Sequence, residues 1–101
     1  GVDILSVGNL NVGGSGKTPL AIFLANYFEG GAVVLRGYGR KSKGVYLISK
    51  NGEILEDTSI SGDEAQEIAQ KTKASVIVSK NREEGIELAK KIGAKFVILD
   101  D

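Results

Sequence analysis

The residues best suited to chemistry in this chain form a glycine-rich loop that ends in a lysine and a threonine. The loop reads Asn11-Val12-Gly13-Gly14-Ser15-Gly16-Lys17-Thr18. Glycines let the backbone turn its N–H groups toward phosphate oxygens, and a helix that starts there presents further N–H groups to the same anion. Lys17 would contact the β- and γ-phosphates, and the Thr18 hydroxyl could join a Mg²⁺ shell. The pattern predicts a nucleotide-binding P-loop.

The loop departs from the usual P-loop pattern at its first position, where Asn11 replaces glycine. Asparagine tolerates left-handed backbone, so the turn can be kept. A dinucleotide fingerprint fits less well, because Pro19 stands where its third glycine belongs. An ordinary glycine-rich turn before a helix is the simplest alternative. The residues we expect to bind nucleotide are Asn11, Gly13, Gly14, Ser15, Gly16, Lys17 and Thr18.

A second segment, residues 36–44, is rich in cations. It contains Arg36, Tyr38, Arg40 and Lys41. It follows an apolar run and would therefore lie at the carboxyl end of a strand, where open α/β sheets bind ligands. The segment could hold a phosphorylated substrate, a nucleotide phosphate or an anionic membrane surface, or it could be a solvated loop. Nucleic acid is not expected, because the basic segment is short and the net charge is zero.

The chain has two notable acidic pairs, and one of them is a candidate for metal binding. Asp100 and Asp101 end an apolar run, which is the Walker B arrangement that brings a carboxylate to Mg²⁺. Asp63 and Glu64 follow Ser61 and a glycine. Local physics predicts that Ser61 and Glu64 form a capping box, in which case the acids only start a helix.

The elements that would position these residues alternate between strand and helix. The patterns predict strands over residues 2–7, 32–35, 74–79 and 96–99, and helices over residues 18–29, from residue 61, and over residues 81–92. This order predicts an α/β fold with a parallel sheet and flanking helices. The first helix is apolar nearly all round, so we expect it to be buried. Asn51-Gly52 predicts a β-hairpin over residues 45–56, which we interpret as a ribbon outside the main sheet.

Composition narrows the possible classes of protein. A chain of 101 residues that is 42% hydrophobic suits one small domain. The absence of cysteine excludes disulfides and thiolate metal sites, and the absence of histidine means that any imidazole must come from outside these residues. Basic side chains predominate in residues 1–50 and acidic ones in residues 51–101, a distribution that suits the handling of Mg²⁺–nucleotide.

Four stretches together resemble the tetraacyldisaccharide 4'-kinases, the lipid A kinases of Gram-negative-type bacteria. The similar stretches are residues 6–19, 36–44, 62–64 and 97–101, in the family's order and at about its spacing. The resemblance implies a P-loop kinase that uses ATP and Mg²⁺ to phosphorylate the 4'-hydroxyl of a tetraacyldisaccharide 1-phosphate. It also implies a cytoplasmic protein that contacts the inner membrane peripherally, through segments that these residues lack.

The resemblance also assigns roles to individual residues. Lys17 and the loop amides would hold the ATP phosphates, and the basic segment would be the substrate loop. The metal ligands would be Thr18, Glu64 and Asp101. Asp63 would take the proton of the acceptor hydroxyl, with Asp100 close by, and this role replaces the capping role that local physics predicts.

The chain differs from the family pattern in several places. Ala65 stands where the family usually has proline, and Asn81-Arg82 replaces an Asp-Arg pair, which leaves the role of Arg82 open. The family continues past its double aspartate into Gly-Phe-Gln-His and a further lobe. We therefore expect residues 1–101 to be a single nucleotide-binding domain that belongs to a longer protein and is inactive alone.

Two other functions stay open from the residues themselves. One is a switch or partitioning-type P-loop ATPase, although those proteins often carry a lysine at the position of Val12. The other is a nucleotide-binding module without chemistry of its own.

Overall fold

Strands and helices alternate along the chain. The computed structural model describes residues 2–7, 17–37 and 44–100, and only the backbone of residues 17–19. The strands are β1 Asp3–Ser6, β2 Gly31–Leu35, β3 Tyr46–Lys50, β4 Glu53–Ile54, β5 Ser75–Val78 and β6 Phe96–Asp100. The helices are α1 Lys17–Tyr27, α2 Thr58–Ser61, α3 Asp63–Lys71 and α4 Arg82–Lys91.

The described strands form one sheet of six, in the order β1-β6-β2-β5-β3-β4. The first four in this order are parallel to one another. Strands β2 and β5 are buried at every position, which explains why both are continuous apolar runs rather than alternating ones. The predicted α/β fold with a parallel sheet and flanking helices is confirmed.

Helices cover both faces of this sheet. Helices α1 and α3 lie on one face and α4 lies on the other. On the first face the helices present small buried side chains, Ala21 from α1 and Ala65 from α3. Helix α4 approaches through Gly85, where a Cβ atom would lie 2.5 Å from a methyl group of Val34. Small residues at these contacts let the helices pack closely on the sheet.

Helix α1 is less buried than its composition predicts. Ala21 and Ala25 face the core and are buried. Phe23, Tyr27 and the following Phe28, by contrast, expose 59%, 69% and 49% of their surface. The prediction of a well-buried helix is therefore wrong among the described residues, because the sheet covers only one side of it.

The hairpin predicted at Asn51-Gly52 is present, but it belongs to the main sheet. Asn51 and Gly52 both have positive φ angles, 50° and 92°, as a two-residue turn between antiparallel strands requires. Strands β3 and β4 pair across this turn, and β3 also pairs antiparallel with β5. The interpretation as a ribbon outside the sheet is wrong, because Ile48 of β3 is fully buried in the core beside α3.

Candidate functional site

The candidate site lies at the carboxyl edge of the sheet. Parallel strands end at the same edge, so the residues that follow β1, β2, β5 and β6 meet there. In the register of the sheet, Ser6 is opposite Leu99, and Leu35 is opposite Asp100. The ends of β1 and β2 therefore flank the end of β6 on either side.

Asp100 is the acidic residue at the centre of this edge. It ends β6 and is only 3% exposed. On the β1 side, the Val7 N–H donates to the Leu99 carbonyl at 2.9 Å, which holds the residue before the glycine loop against β6. The structure therefore places Asp100 next to the end of β1, the strand that leads into the glycine loop. Its neighbour Asp101 lies outside the described residues.

The glycine loop itself, residues 8–16, also lies outside the described residues, as do the side chains of Lys17 and Thr18. The predicted roles of Asn11, Gly13, Gly14, Ser15 and Gly16 therefore stay predictions. Both ends of the loop are described, however. It leaves β1 at the carboxyl edge and enters α1 at Lys17. Helix α1 then leads back to the start of β2, so its N-terminus points its N–H groups toward this edge.

Helix α3 starts at the same edge as α1. The two helices pack side by side on one face of the sheet. Near their C-termini, the Asn26 side chain donates to the Lys71 carbonyl at 3.2 Å. Lys71 lies just before β5, at the opposite edge, so α3 runs away from the carboxyl edge as α1 does. Asp63 and Glu64, in the first turn of α3, are exposed at the candidate site.

The predicted capping box at the start of α3 is wrong. Ser61 belongs to the preceding helix α2 and is fully buried. Its hydroxyl is a donor within reach of the Gly62 carbonyl at 2.8 Å and the Gln66 side-chain oxygen at 2.9 Å, and no side chain caps the first turn of α3. The N-cap of α3 is Gly62, with φ 83° and ψ 165°. Glycine takes the cap position because this backbone conformation is almost closed to other residues.

The basic segment also begins and ends at the carboxyl edge. Arg36 and Gly37 follow β2, and Gly44 and Val45 lead into β3, whose first residue lies opposite the last residue of β5. Tyr38, Arg40 and Lys41 lie outside the described residues. The structure thus places the ends of the segment at the site, and Arg36 itself is exposed there.

Two further cations share a cleft with Arg36: Lys80, which sequence reasoning missed, and Arg82, whose role it left open. This cleft, at the ends of β2 and β5, is lined by Val34, Leu35, Arg36, Ser79, Lys80, Arg82 and Leu99. The Ser79 N–H donates to the Leu35 carbonyl at 2.8 Å, which keeps the two strand ends together. Lys80 matches no motif, and the only signal for it is its place directly after the predicted strand over residues 74–79.

The described part of the site contains oxygen ligands but not a complete metal shell. No group of three acidic side chains among the described residues lies close enough to hold a metal ion. Of the predicted ligands, Glu64 lies at the site, while Asp101 and the Thr18 side chain lie outside the description. Carboxylate and hydroxyl oxygens are the donors that Mg²⁺ prefers, so the chemistry of the predicted set fits that ion.

Comparisons with known proteins agree on one family. The family model described as tetraacyldisaccharide-1-P 4'-kinase matches residues 1–101. The tetraacyldisaccharide 4'-kinase of Aliarcobacter butzleri is 52% identical over 99% of this chain, and that of Helicobacter pylori is 50% identical over 99%. A solved structure of LpxK from Aquifex aeolicus in complex with ATP is 38% identical over 99% of this chain, with a TM-score of 0.84.

The chain spans about one third of the length of these relatives. It covers 32% of each of the two curated proteins and 33% of the solved one. The likeness to the solved structure confirms the P-loop kinase fold over the described elements.

Proposed function

Because the chain belongs to the tetraacyldisaccharide-1-P 4'-kinase family, we propose that the protein containing it is an ATP-dependent lipid kinase. It transfers the γ-phosphate of ATP to the 4'-hydroxyl of a tetraacyldisaccharide 1-phosphate, in lipid A biosynthesis. The observation that carries the proposal is the convergence of the glycine-loop ends, buried Asp100 and the first turn of α3 at one edge of the sheet.

The nucleotide binds at the glycine loop and the start of α1. This assignment is supported by the strand-loop-helix order, by the orientation of α1 and by the ATP complex of the related solved structure. The loop amides and Lys17 hold the phosphates, as P-loop residues of these types do. Helix α1 has no acidic residue in its first turn, so no side chain there competes with the phosphates for the positive end of the helix dipole.

Mg²⁺ would be held by Thr18, Glu64 and Asp101 beside these phosphates. When bound, it would neutralise charge that develops on the phosphate oxygens during transfer. Glu64 is well placed for this role because α3 starts at the same edge as α1. Buried Asp100 adds negative charge at the end of β6, and this charge favours a cation over a second anion at the same point.

Asp63 acts on the acceptor. The 4'-hydroxyl oxygen attacks the γ-phosphorus, the bond from that phosphorus to the ADP oxygen breaks, and the hydroxyl proton passes to the Asp63 carboxylate. This role is supported by the exposure of Asp63 at the carboxyl edge, where an acceptor can reach it. It is also supported by the finding that Gly62, and not an S-x-x-E box, starts helix α3.

The basic segment holds the phosphorylated acceptor. Arg36, Tyr38, Arg40 and Lys41 would contact the lipid disaccharide phosphate, since arginine and lysine bind phosphate by charge and hydrogen bonding. Lys80 and Arg82 share the cleft with Arg36 and add positive charge on the same side of the site.

A lipid acceptor requires the protein to meet a membrane. None of the four described helices has the length and apolarity to cross a bilayer. We place the protein at the cytoplasmic face of the inner membrane, in peripheral contact through segments beyond these 101 residues, because ATP and a lipid acceptor are both available there. Nucleic acid is not among the proposed partners.

The test is transfer of label from γ-³²P ATP to a tetraacyldisaccharide 1-phosphate acceptor. The assay uses a protein that is as long as the relatives and contains these 101 residues. Lys17→Ala should abolish the formation of labelled lipid and weaken ATP binding at least about tenfold, because it removes the positive charge that contacts the ATP phosphates. The matched control is Lys73→Ala, which removes an exposed lysine at the opposite edge of the sheet and should change neither. Release of free phosphate without labelled lipid would contradict the kinase and indicate a switch-type ATPase.

A further inference from the structure

A short hydrogen-bonded link joins the end of α2 to the first turn of α3. Ser61, the last residue of α2, is fully buried, and its hydroxyl is a donor within reach of two acceptors. One is the Gly62 carbonyl at 2.8 Å, and the other is the Gln66 side-chain oxygen at 2.9 Å. The Gln66 N–H donates to the same Gly62 carbonyl at 3.2 Å. The backbone and the side chain of Gln66 are therefore both connected to the residues that precede α3.

Helix α2 holds the residues of this link in place. The helix is one turn long, and the Ser61 N–H donates to the Asp57 carbonyl at 3.0 Å. At its C-terminal end, the Gly62 N–H donates to the Thr58 carbonyl at 2.8 Å. Gly62 is itself buried. Because the N–H and the carbonyl of Gly62 both have partners, a change in the conformation of this turn would break hydrogen bonds in both helices.

Burial of Ser61 does not by itself explain the contact with Gln66. A buried hydroxyl needs at least one partner, and the Gly62 carbonyl already provides one. Gln66 is partly buried, whereas Glu67 and Gln70 of the same helix are exposed. Holding a glutamine side chain in one conformation costs conformational entropy. The contact is therefore a further connection between α2 and α3, beyond what the buried hydroxyl requires.

The link encloses the two acidic residues of the candidate site. Asp63 and Glu64 stand between Gly62 and Gln66 in the chain and belong to the first turn of α3. Residues three apart in a helix lie on the same side, so Gln66 is on the side of Asp63. Both acidic side chains are exposed, and their own packing therefore does not fix the turn that carries them. The place of the two carboxylates depends on the residues before and after them, which the link joins.

We propose that Ser61 and Gln66 are positioning residues, which hold the first turn of α3 in place. The carboxylates of Asp63 and Glu64 thereby keep fixed positions at the carboxyl edge. The inference rests on the proposed function for the roles of these acids, Asp63 in proton transfer and Glu64 at Mg²⁺. A displacement of about 1 Å can lower an enzymatic rate about 100-fold. Loss of the link should therefore affect phosphate transfer and the use of Mg²⁺ more than the affinity for ATP.

The first experiment compares two glutamine variants in a protein that is as long as the relatives and contains these 101 residues. Gln66→Leu keeps a side chain of similar size but cannot accept from Ser61, and Gln70→Leu makes the same change at an exposed position one turn later. Gln66→Leu should lower kcat for lipid phosphorylation at least about tenfold, with the KM for ATP at saturating Mg²⁺ within about twofold. The Mg²⁺ concentration that gives the half-maximal rate should rise at least about threefold. Gln70→Leu should change none of these values, and a normal kcat and Mg²⁺ dependence for Gln66→Leu would overturn the inference.

A double substitution tests whether the two residues act through one link. Ser61→Ala removes the hydroxyl and should lower kcat about as much as Gln66→Leu does. If the residues act together, the double variant should have nearly the same kcat as the slower single variant. A loss equal to the product of the two single losses would contradict a shared link. Chemical denaturation identifies any variant that is not folded in the assay, and Gln66→Leu, at a partly exposed position, decides the question if Ser61→Ala does not fold.

Hydrogen exchange gives a readout that needs neither ATP nor lipid. The protection of the residue 66 amide should fall at least about tenfold in Gln66→Leu, because the first turn of α3 then opens more often, while the Lys71 amide in the last turn stays unchanged. If the unchanged protein transfers no phosphate to lipid, the proposed function fails, but a loss of protection confined to the first turn still supports the positioning role. Unchanged protection of the residue 66 amide would contradict that role, whatever the protein's activity.

Discussion

Helices α3 and α4 begin with similar sequences but start in different ways. Each has two acidic residues in its first turn, Asp63 and Glu64 in α3 and Glu83 and Glu84 in α4. Helix α4 is capped by Asn81, whose side chain accepts a hydrogen bond from the Glu84 N–H at 3.1 Å. Helix α3 has Gly62 as its N-cap, which has no side chain to accept one.

The two helices differ in what starts them, a capping side chain in α4 and a glycine in α3. At α4, the side-chain cap and the helix dipole together explain why acidic residues stand at positions 83 and 84. At α3, the glycine conformation fixes the start of the helix, and the start lies at the carboxyl edge, where β1 also ends. The same acidic pattern therefore follows a side-chain cap in one helix and a glycine cap at the carboxyl edge in the other, where the proposed function gives Asp63 and Glu64 a chemical role. Each prediction below tests this distinction.

The largest expected effect is on phosphate transfer. Asp63→Asn should lower the transfer rate roughly 10³-fold and leave ATP affinity nearly unchanged, because it removes the proton acceptor and keeps the size of the side chain. Glu83→Gln in α4 is the matched control and should leave transfer within about twofold of the unchanged protein. Steady-state kinetics of lipid phosphorylation measure both. If the Asp63→Asn variant transfers phosphate at the normal rate, Asp63 has only a structural role.

The next effect is on stability and comes from the glycine that starts α3. Gly62→Ala should lower the free energy of unfolding by about 1–3 kcal/mol, because φ 83° with ψ 165° is strained for a residue with a Cβ atom. Chemical denaturation of the same protein measures the loss. Since the change also shifts the first turn of α3, transfer should fall more than ATP binding does. An unchanged unfolding midpoint would show that glycine is not needed at this position.

A smaller loss is expected at the start of α4. Asn81→Ala should lower the free energy of unfolding by about 1 kcal/mol, since it removes the side-chain cap, and Asn81→Asp should retain most of the stability. Transfer activity should be unaffected by the aspartate variant. If alanine and aspartate behave alike in denaturation, the hydrogen bond to Glu84 is not what stabilises the start of α4.

The smallest effect concerns α2, which is also capped by a side chain. Hydrogen bonds from the Ser59 hydroxyl and N–H to Asp57, 2.6 and 3.0 Å long, lower the pKa of Asp57 from its ordinary value of 3.8. A lowered pKa stabilises the folded state above about pH 3.8, and this contribution disappears as the pH falls through the folded-state pKa. Asp57→Asn should therefore be slightly less stable than the unchanged protein at pH 7, and the difference should shrink at pH 3. A difference that is the same at both pH values would contradict a charge-dependent cap.

Much of the fold follows directly from sequence patterns. Continuous apolar runs predict β2 and β5 because both strands are buried on two faces, and the residues after parallel strands must meet at one edge. Asp100 could be placed in this way, and so could the ends of the glycine loop and of the basic segment.

The errors arise where a local pattern depends on distant neighbours. Ser61-x-x-Glu64 matches a capping box, but burial of Ser61 in α2 gives its hydroxyl other partners. The hairpin at Asn51-Gly52 was recognisable, whereas the pairing of β3 with β5 depends on Ile48 reaching the core. The exposure of Phe23 and Tyr27 could not be predicted either, since an apolar helix does not indicate how much of it these 101 residues cover.

The position of β6 between β1 and β2 has a consequence for the order of folding. Strand β1 pairs with the last described strand, so that Asp3 is opposite Phe96, and this contact has one of the largest sequence separations in the molecule. Contacts between distant residues carry a high cost in chain entropy and tend to form late. During synthesis on the ribosome, β1 therefore has no partner among the described strands until β6 has emerged. Because the Val7 N–H bonds to the Leu99 carbonyl, the residue that precedes the glycine loop is held in place only after residue 99 has been synthesised, so nucleotide binding cannot report on the nascent chain before that point.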